Sequence, residues 1–311
     1  MWQGDGSFVT FFMYNGIIIA KENTMPTCNV CFRHCEIKEG TLGFCGARTC
    51  KDGLITAANY GKITSLALDP IEKKPLYHFH PGKRILSVGS YGCNLRCPFC
   101  QNDSISWSEE IMWYAKNATV LSPEALVQIA LESSMKEGNI GIAYTYNEPL
   151  IGYEYVRDCA YLAKEAGLMN VMVTNGTAEP VILEELLPYI DAMNIDLKGF
   201  TENYYNHTLG GNLDMTRKFI ETAVKSCHVE LTTLVVPNEN DSEEEMREIA
   251  GWIAGLTDAN GKIIGSDIPL HISRFFPRFH MTDRHPTDVR LIYHLRDVAK
   301  EYLKNVYTGN C

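Results

Sequence analysis

Residues 92–102 of the chain read GCNLRCPFCQN, which places Cys93, Cys97 and Cys100 in one short stretch with gaps of three and two residues. Thiolates this close in sequence can ligate a single iron–sulfur cluster. A cubane cluster has four irons, so three cysteines leave one iron open to another ligand. The spacing is also compatible with a zinc knuckle or with buried reduced cysteines, and the rest of the chain has to distinguish these alternatives.

A second set of cysteines precedes this loop. Cys28, Cys31, Cys35 and Cys45 lie within eighteen residues and are interspersed with glycines. Such spacing predicts a small knuckle held together by a metal. The pattern fits structural zinc, an auxiliary iron–sulfur cluster or thiols without a ligand.

Composition narrows the class of protein. The formal net charge of −10 over 311 residues argues against binding to nucleic acid or to an anionic membrane, since both need a basic surface. The eleven cysteines are odd in number, cluster at metal-like spacings and follow no secretory signal. These features favour metal ligation over disulfides and predict a cytoplasmic, reducing location. We also expect residues 1–24 to be a loosely attached extension, with Met25 as a candidate start.

From Arg84 onward, strand and helix patterns alternate six times with short connections. The predicted strands span residues 85–89, 140–144, 171–174, 192–197, 229–236 and 268–275, with a short last strand at 305–307. The predicted helices span residues 123–136, 150–165, 180–189, 213–227, 243–256 and 287–303. This order predicts parallel strands joined by right-handed crossovers. The fold class is therefore α/β, a partial (β/α)6 TIM-like barrel at 84–311 with a small cysteine-rich metal knuckle and connecting segment at 25–83.

Polar residues gather where the predicted strands end, which is where chemistry lies in α/β barrels. The candidate cofactor-binding residues are Tyr146, Asn147 and Glu148 after the second strand, Thr174 and Asn175 after the third, Asp196 and Lys198 at the fourth, and His271 on the sixth. Asp196 and Lys198 are two residues apart and therefore share a face. Asp196 can accept from ribose hydroxyls and Lys198 can pair with a carboxylate, or the two can form an ion pair with each other.

Two of these residues have a structural alternative. Glu148 can accept hydrogen bonds from the ammonium group of a cofactor, but it also precedes a helix, where the helix dipole favours a carboxylate. A single strand histidine such as His271 is more often structural than catalytic.

The proline-rich segment 69–80 is either a lid or substrate-contacting strip beside the cysteine loop, or a clasp between knuckle and barrel.

Taken together, the cysteine loop, the alternating strands and helices and the polar residues at the strand ends resemble those of radical S-adenosylmethionine (radical SAM) proteins of the pyruvate formate-lyase activating enzyme type. The resemblance is closer still to the radical SAM member of the AmmeMemoRadiSam set. It rests on the leader with Cys28, Cys31, Cys35 and Cys45, on DPIEKKPLYHF at 69–79, on residues 93–102, on YNEP at 146–149 and on VYTGN at 306–310. The family at large binds the amino group of the cofactor with a Gly-Gly-Glu type stretch. This chain has Tyr146-Asn147-Glu148 at that place, so only Glu148 matches the family's pattern.

The resemblance implies a [4Fe-4S] cluster on Cys93, Cys97 and Cys100 with S-adenosylmethionine on the open iron. It implies an oxidoreductase that reductively cleaves this cofactor, under anaerobic conditions, to a 5′-deoxyadenosyl radical. The radical would abstract hydrogen from a substrate, with a protein as one candidate, as in glycyl-radical enzyme activation. Reduced flavodoxin or ferredoxin is the expected electron donor. The alternative from a different class is a non-catalytic scaffold that binds zinc or a cluster.

Overall fold

The computed structural model describes residues 9–14, 17–22 and 25–311 of the chain. Residues 9–14 and 17–22 form an antiparallel hairpin of strands β1 (Val9–Tyr14) and β2 (Ile17–Glu22). This hairpin falls within the predicted extension 1–24, whose other residues lie outside the described part.

The cysteine-rich segment contains a second antiparallel hairpin, β3 (Arg48–Lys51) with β4 (Leu54–Ala57). Asp52 and Gly53 connect the two strands, and both have positive φ angles, 54° and 74°. A two-residue type I′ turn requires this conformation, and Asp-Gly is among its preferred sequences. The hairpin therefore follows from the local sequence.

Most of the remaining strands build one large sheet that helices flank, and two short strands, residues 62–63 and 119–120, pair with each other separately. The further strands are β5 (Lys62–Ile63), β6 (Ser65–Pro70), β7 (Arg84–Gly89), β8 (Thr119–Val120), β9 (Asn139–Tyr144), β10 (Met169–Thr174), β11 (Ala192–Asp196), β12 (His228–Val235), β13 (Leu270–Arg274) and β14 (Val306–Gly309). The helices are α1 (Asp103–Ser106), α2 (Ile111–Asn117), α3 (Pro123–Glu137), α4 (Tyr153–Glu165), α5 (Pro180–Leu186), α6 (Leu213–Ala223), α7 (Glu243–Ala254) and α8 (Val289–Ala299).

The sheet order is β14-β13-β12-β11-β10-β9-β7-β6, with β7 and β9 to β14 parallel. Each parallel neighbour is reached through one of the helices α3 to α8, which confirms the predicted partial (β/α)6 barrel. Strand β6 was not expected. It pairs antiparallel with β7 and thus joins the sheet before residue 84, where the sequence predicts the barrel to begin.

Local signals explain where these helices begin and end. In α3, the Ser122 hydroxyl accepts from the backbone N–H of Ala125 at 3.2 Å, and Pro123 occupies the first helical position. Gly138 ends the helix with φ 70°. None of the helices in the described residues is long and apolar enough to cross a membrane.

Residues 71–80, here called the floor segment, close the barrel at the N-terminal ends of the parallel strands. Because β6 runs antiparallel to β7, it ends with Pro70 opposite Arg84, at the beginning of β7. Ile71 and Leu76 then pack among apolar residues inside the barrel. Of the two expectations for segment 69–80, the one that places it as a lid or strip beside the cysteine loop is therefore wrong, since that loop follows the opposite end of β7.

A buried carboxylate anchors the floor segment. Glu230 of β12 accepts hydrogen bonds from the backbone N–H groups of Tyr77 at 2.9 Å and His78 at 2.7 Å. The imidazoles of His228 and His271 contact the same carboxylate at 3.0 and 2.7 Å. Burial raises the pKa of Glu230, but these hydrogen bonds outweigh it and bring the pKa down to about 2.

Candidate active site

The cysteine loop begins directly after β7, at the open mouth of the barrel opposite the floor segment. Gly92 has φ 96°, and a Cβ at this position would lie 2.7 Å from the carbonyl oxygen of Cys45. Only glycine tolerates both the backbone conformation and the contact. The next residue, Cys93, donates its N–H to the same carbonyl oxygen at 3.2 Å. The loop is thus held directly against the N-terminal knuckle.

The three cysteines of the loop are shielded from solvent. Cys97 is buried, and Cys93 and Cys100 are half-buried. Burial raises the pKa of each thiol, well above the ordinary value for Cys93 and to about 11 for Cys97. Neutral thiols are therefore favoured until a cation binds, and binding of metal would release their protons.

Residues that directly follow β9 fix the two ends of the loop. The Asn147 side chain accepts from the N–H of Ser90 at 2.9 Å and donates to the carbonyl oxygen of Gly92 at 3.2 Å. At the other end, Asn102 donates to the carbonyl oxygen of Tyr146 at 2.8 Å. The Tyr146 hydroxyl points away from the loop and donates to Asp69 at 2.9 Å. Asn147 and Tyr146 therefore clamp the loop.

Glu148 places a fully buried carboxylate beside Cys93. It accepts from the N–H of Leu150 at 3.0 Å, the hydroxyl of Thr174 at 2.6 Å and the N–H of Asn175 at 2.8 Å. Burial raises its pKa to about 7 although these hydrogen bonds lower it, and no cation of the described residues pairs with it. The bond to Leu150 also caps the 3-10 turn Pro149–Gly152. Glu148 therefore also has the structural role, as a carboxylate at the start of a helical turn, that the sequence allowed.

Asn175 links the third strand end to the loop. Its amide donates to the side-chain oxygen of Asn94 at 2.9 Å and lies 3.8 Å from the sulfur of Cys93. The Asn94 amide in turn donates to the carbonyl oxygen of Thr177 at 2.8 Å. Asn94, which is fully buried within the cysteine loop, is thereby fixed by residues that follow β10.

Asp196 and Lys198 form an ion pair at 2.8 Å on the next strand end. Burial lowers the pKa of Lys198, but Asp196 and Cys97 outweigh it and raise the pKa well above its ordinary value. The ammonium is therefore charged beside Cys97. The hydroxyl of Tyr204 has Cys97 and Lys198 as neighbours. It is buried and finds no hydrogen-bond partner within the described part of the chain.

His271 is not part of this arrangement. It lies at the beginning of β13, bonded to Glu230 and packed edge-on against Tyr77. Since the strands are parallel, this is the floor end of the barrel. Its position corrects the expectation that His271 contributes to the cofactor site, because its partner is the buried carboxylate that anchors the floor segment.

The cysteines of the knuckle surround a separate cavity. Cys28, Cys31, Cys35 and Cys45 line it together with Arg33, His34 and Arg48. Arg33 and Arg96 cover the two faces of the Phe44 ring, with guanidinium carbons 3.4 and 3.7 Å from its centroid. Among the described residues, no three His, Cys, Asp or Glu side chains converge closely enough to hold a single metal ion.

Sequence reasoning missed several residues that shape the site. Asn94, Thr177 and Ser90 act through loop hydrogen bonds to residues distant in sequence, and no local pattern reveals such bonds. Tyr204 lies in a π-helical turn, Tyr204–Leu209, that the sequence did not predict. Such turns are rare and often occur at functional sites.

Comparison with known proteins shows the family of this chain. The model of the radical SAM superfamily matches residues 87–250. The uncharacterized protein MJ0808 of Methanocaldococcus jannaschii is 40% identical over 91% of this chain and 80% of its own length. The pyruvate formate-lyase 1-activating enzyme of Escherichia coli K12 is 25% identical over 54% of this chain and 68% of its own length.

A solved structure shares the fold. The crystal structure of SuiB from Streptococcus suis has a TM-score of 0.52 and 16% sequence identity, and the match covers 72% of this chain and 48% of the SuiB chain. The chain thus spans about half of SuiB. This likeness concerns the fold alone.

The chain belongs to the radical SAM superfamily and is an enzyme of the radical SAM class. Within the superfamily it is similar to the pyruvate formate-lyase activating enzymes. The family implies a [4Fe-4S] cluster and S-adenosylmethionine as cofactors. Catalysis of this class argues against the non-catalytic scaffold that the cysteine spacing alone left possible.

Proposed function

We propose that Cys93, Cys97 and Cys100 ligate a [4Fe-4S] cluster, that S-adenosylmethionine occupies the fourth iron, and that the enzyme abstracts hydrogen from a protein substrate. The observation that carries the proposal is Glu148, a buried carboxylate beside Cys93 that no cation of the described residues neutralises. Its three hydrogen bonds leave the charge without a counter-ion, and a buried charge is costly unless it is paired. The ammonium group of the cofactor's methionine part would be such a counter-ion.

The other strand ends supply matching groups. Asp196 would accept from the ribose hydroxyls, and Lys198 would pair with the carboxylate of the cofactor, each in place of its present partner. The unpartnered Tyr204 hydroxyl near Cys97 is a further donor at the same place. Asn147 and Asn175 would hold the cysteine loop rather than touch the cofactor.

When bound, the cluster would supply one electron that splits S-adenosylmethionine into methionine and a 5′-deoxyadenosyl radical. The chain's own contribution is to hold the loop, to orient the cofactor and to exclude water from the buried mouth around Cys97 and Glu148. The protein substrate is suggested by the relatives named as activating enzymes. Reduced flavodoxin or ferredoxin is the proposed electron donor.

The decisive experiment is turnover after anaerobic reconstitution with iron and sulfide. With dithionite as reductant, the wild-type enzyme should release 5′-deoxyadenosine from S-adenosylmethionine, and C97A should release none. C227A is the matched control, since Cys227 packs at the end of α6 and should leave turnover unchanged. A fully loaded wild-type cluster without any 5′-deoxyadenosine would refute the proposed chemistry. Replacing dithionite with reduced flavodoxin or ferredoxin then tests the donor.

A further inference from the structure

The second cysteine set is assembled by the fold into one lined cavity. The N–H of Cys28 donates to the carbonyl oxygen of Cys35 at 2.8 Å, which closes the first turn of the knuckle. Cys45 joins them from a separate turn, in which the N–H of Gly46 donates to the carbonyl oxygen of Gly43 at 2.9 Å. Contacts from two different turns therefore bring four thiols to the same cavity.

In the described part of the chain, the four thiols do not form a single-ion site. No group of three potential ligands among residues described by the structure could hold a single metal ion, and this holds for Cys28, Cys31, Cys35 and Cys45. Zinc in a structural site needs its ligands within bonding distance of one point. The irons of a cluster occupy separate corners, so that its thiolates stand farther apart. Among the described residues, the loop cysteines Cys93, Cys97 and Cys100 likewise form no such single-ion group.

The guanidinium group of Arg48, whose Nε lacks an acceptor among the described residues, lines the same cavity. Arg48 is buried, with 4% of its surface exposed, and one of its terminal nitrogens is paired with Glu154 at 2.7 Å. Its Nε is buried and has no hydrogen-bond partner among the residues that the structure describes. A buried guanidinium nitrogen left in this way costs stability unless an acceptor is present. Thiolate and sulfide sulfurs of a negatively charged cluster are acceptors of the required kind.

We propose that Cys28, Cys31, Cys35 and Cys45 bind a second iron–sulfur cluster of the cubane class, with Arg48 donating to it. Four cysteine ligands would complete all four irons, so this cluster would have no position for S-adenosylmethionine and would take no part in its cleavage. The proposal goes beyond the function assigned to the barrel mouth, although the two sites are adjacent. Cys93 and Cys45 are joined by a main-chain hydrogen bond of 3.2 Å.

The test uses the triple variant C93A/C97A/C100A, which removes the loop ligands and leaves the knuckle intact. After anaerobic reconstitution we expect it to keep about half of the wild-type iron and acid-labile sulfide, with the absorbance and electron paramagnetic resonance of a reduced cubane cluster. A triple variant that binds no iron, or that binds one equivalent of zinc in preference to iron, would overturn the proposal.

Matched variants assign the ligands within the triple-variant background. C28S and C45S should each abolish the remaining iron. C50S should keep it, because the Cys50 thiol faces Glu39 at 3.3 Å on the same knuckle and does not line the cavity. R48Q should keep the iron but shift the resonance spectrum. Retention of the full iron content and spectrum in C28S would contradict the assignment, and circular dichroism of every variant identifies those that fail to fold.

The experiment on the triple variant tests the second cluster independently of the proposed catalytic function. If the triple variant holds a cluster while the fully loaded wild type cleaves no S-adenosylmethionine, the second cluster stands and the catalytic proposal fails. If the wild type cleaves the cofactor while the triple variant holds no iron, the catalytic proposal stands and the second cluster is excluded.

Discussion

The N–H of Cys93 donates to the carbonyl oxygen of Cys45 at 3.2 Å, so the barrel loop and the knuckle meet through their own cysteines. The junction is tight because Gly92, with φ 96°, brings its Cα next to the same carbonyl oxygen. The sequence presents the two cysteine sets as separate motifs. In the structure they are in direct main-chain contact.

Gly92→Ala should lower the free energy of unfolding by about 2 kcal/mol or more, because the new Cβ meets both an unfavourable φ and the carbonyl oxygen of Cys45. Anaerobic urea denaturation measures the loss. Gly40→Ala is the matched control, since Gly40 has φ 72° but no atom within 4 Å of the position that a Cβ would take. Equal losses for the two variants would show that the contact at the junction contributes nothing.

Glu148→Gln should weaken binding of S-adenosylmethionine to the reconstituted enzyme roughly ten- to hundredfold. The reason is that a hydrogen bond to a charged group contributes about 1.5–3 kcal/mol. Anaerobic equilibrium dialysis measures the affinity. Glu165→Gln, at the exposed end of α4, serves as control and should bind normally. Wild-type affinity in the Glu148 variant would remove this residue from the cofactor site.

Asn147→Ala should release the beginning of the cysteine loop, since it loses the bonds to Ser90 and to Gly92. We expect a loss of stability of about 1–3 kcal/mol and a lower iron content after reconstitution. Asn147→Asp separates the two bonds, because it keeps the acceptor for Ser90 and loses the donor to Gly92. Unchanged iron content in both variants would show that the clamp is dispensable.

Asp196→Asn should weaken cofactor binding about tenfold while changing stability by only about 1 kcal/mol, since the pair with Lys198 is partly exposed. Titration of S-adenosylmethionine into the cluster-loaded enzyme without reductant, so that the cofactor is bound but not cleaved, measures the affinity. The double variant D196N/K198M should bind no better than the single one. Recovery of wild-type affinity in the double variant would mean that the pair is structural only.

Glu230→Gln should lower stability by on the order of 3 kcal/mol at neutral pH, because the carboxylate holds two histidines and two backbone N–H groups. The folded-state pKa of about 2 lies below the ordinary value of 4.5. The carboxylate thus contributes its full stability above about pH 4.5, and this is lost as the pH falls towards 2.

The difference in urea midpoint between wild type and the Glu230 variant should therefore shrink between pH 5 and pH 3. Glu137→Gln, on an exposed end of α3, provides the control and should show no such trend. A midpoint difference that is constant with pH would contradict the assigned role of the carboxylate.

The sequence was sufficient for the barrel and for much of its mouth. Alternation of short strands and capped helices predicted the parallel sheet, and the rule that strand ends carry chemistry predicted that Glu148, Asp196 and Lys198 would lie at one end of it. These residues lie near the cysteine loop because parallel strands bring their carboxyl ends together.

The floor segment and His271 were placed wrongly for a physical reason. Strand β6 runs against the direction of the barrel, and nothing in the apolar pattern of residues 65–70 indicates the direction of pairing. His271 was assigned to the correct strand, but the strand begins only at Leu270, so that the histidine lies at the floor end. Long-range bonds such as the one to Glu230 decide these positions, and periodicity does not report them.

The anchoring of the floor segment also has a consequence for the order of folding. The hydrogen bond from His78 to Glu230 joins residues 152 positions apart, so it cannot form until β12 has been synthesised and has joined the sheet. Contacts of such long range are entropically costly and form late. The β3–β4 hairpin is local and can form early, whereas the barrel is sealed at its base only when most of the chain is complete.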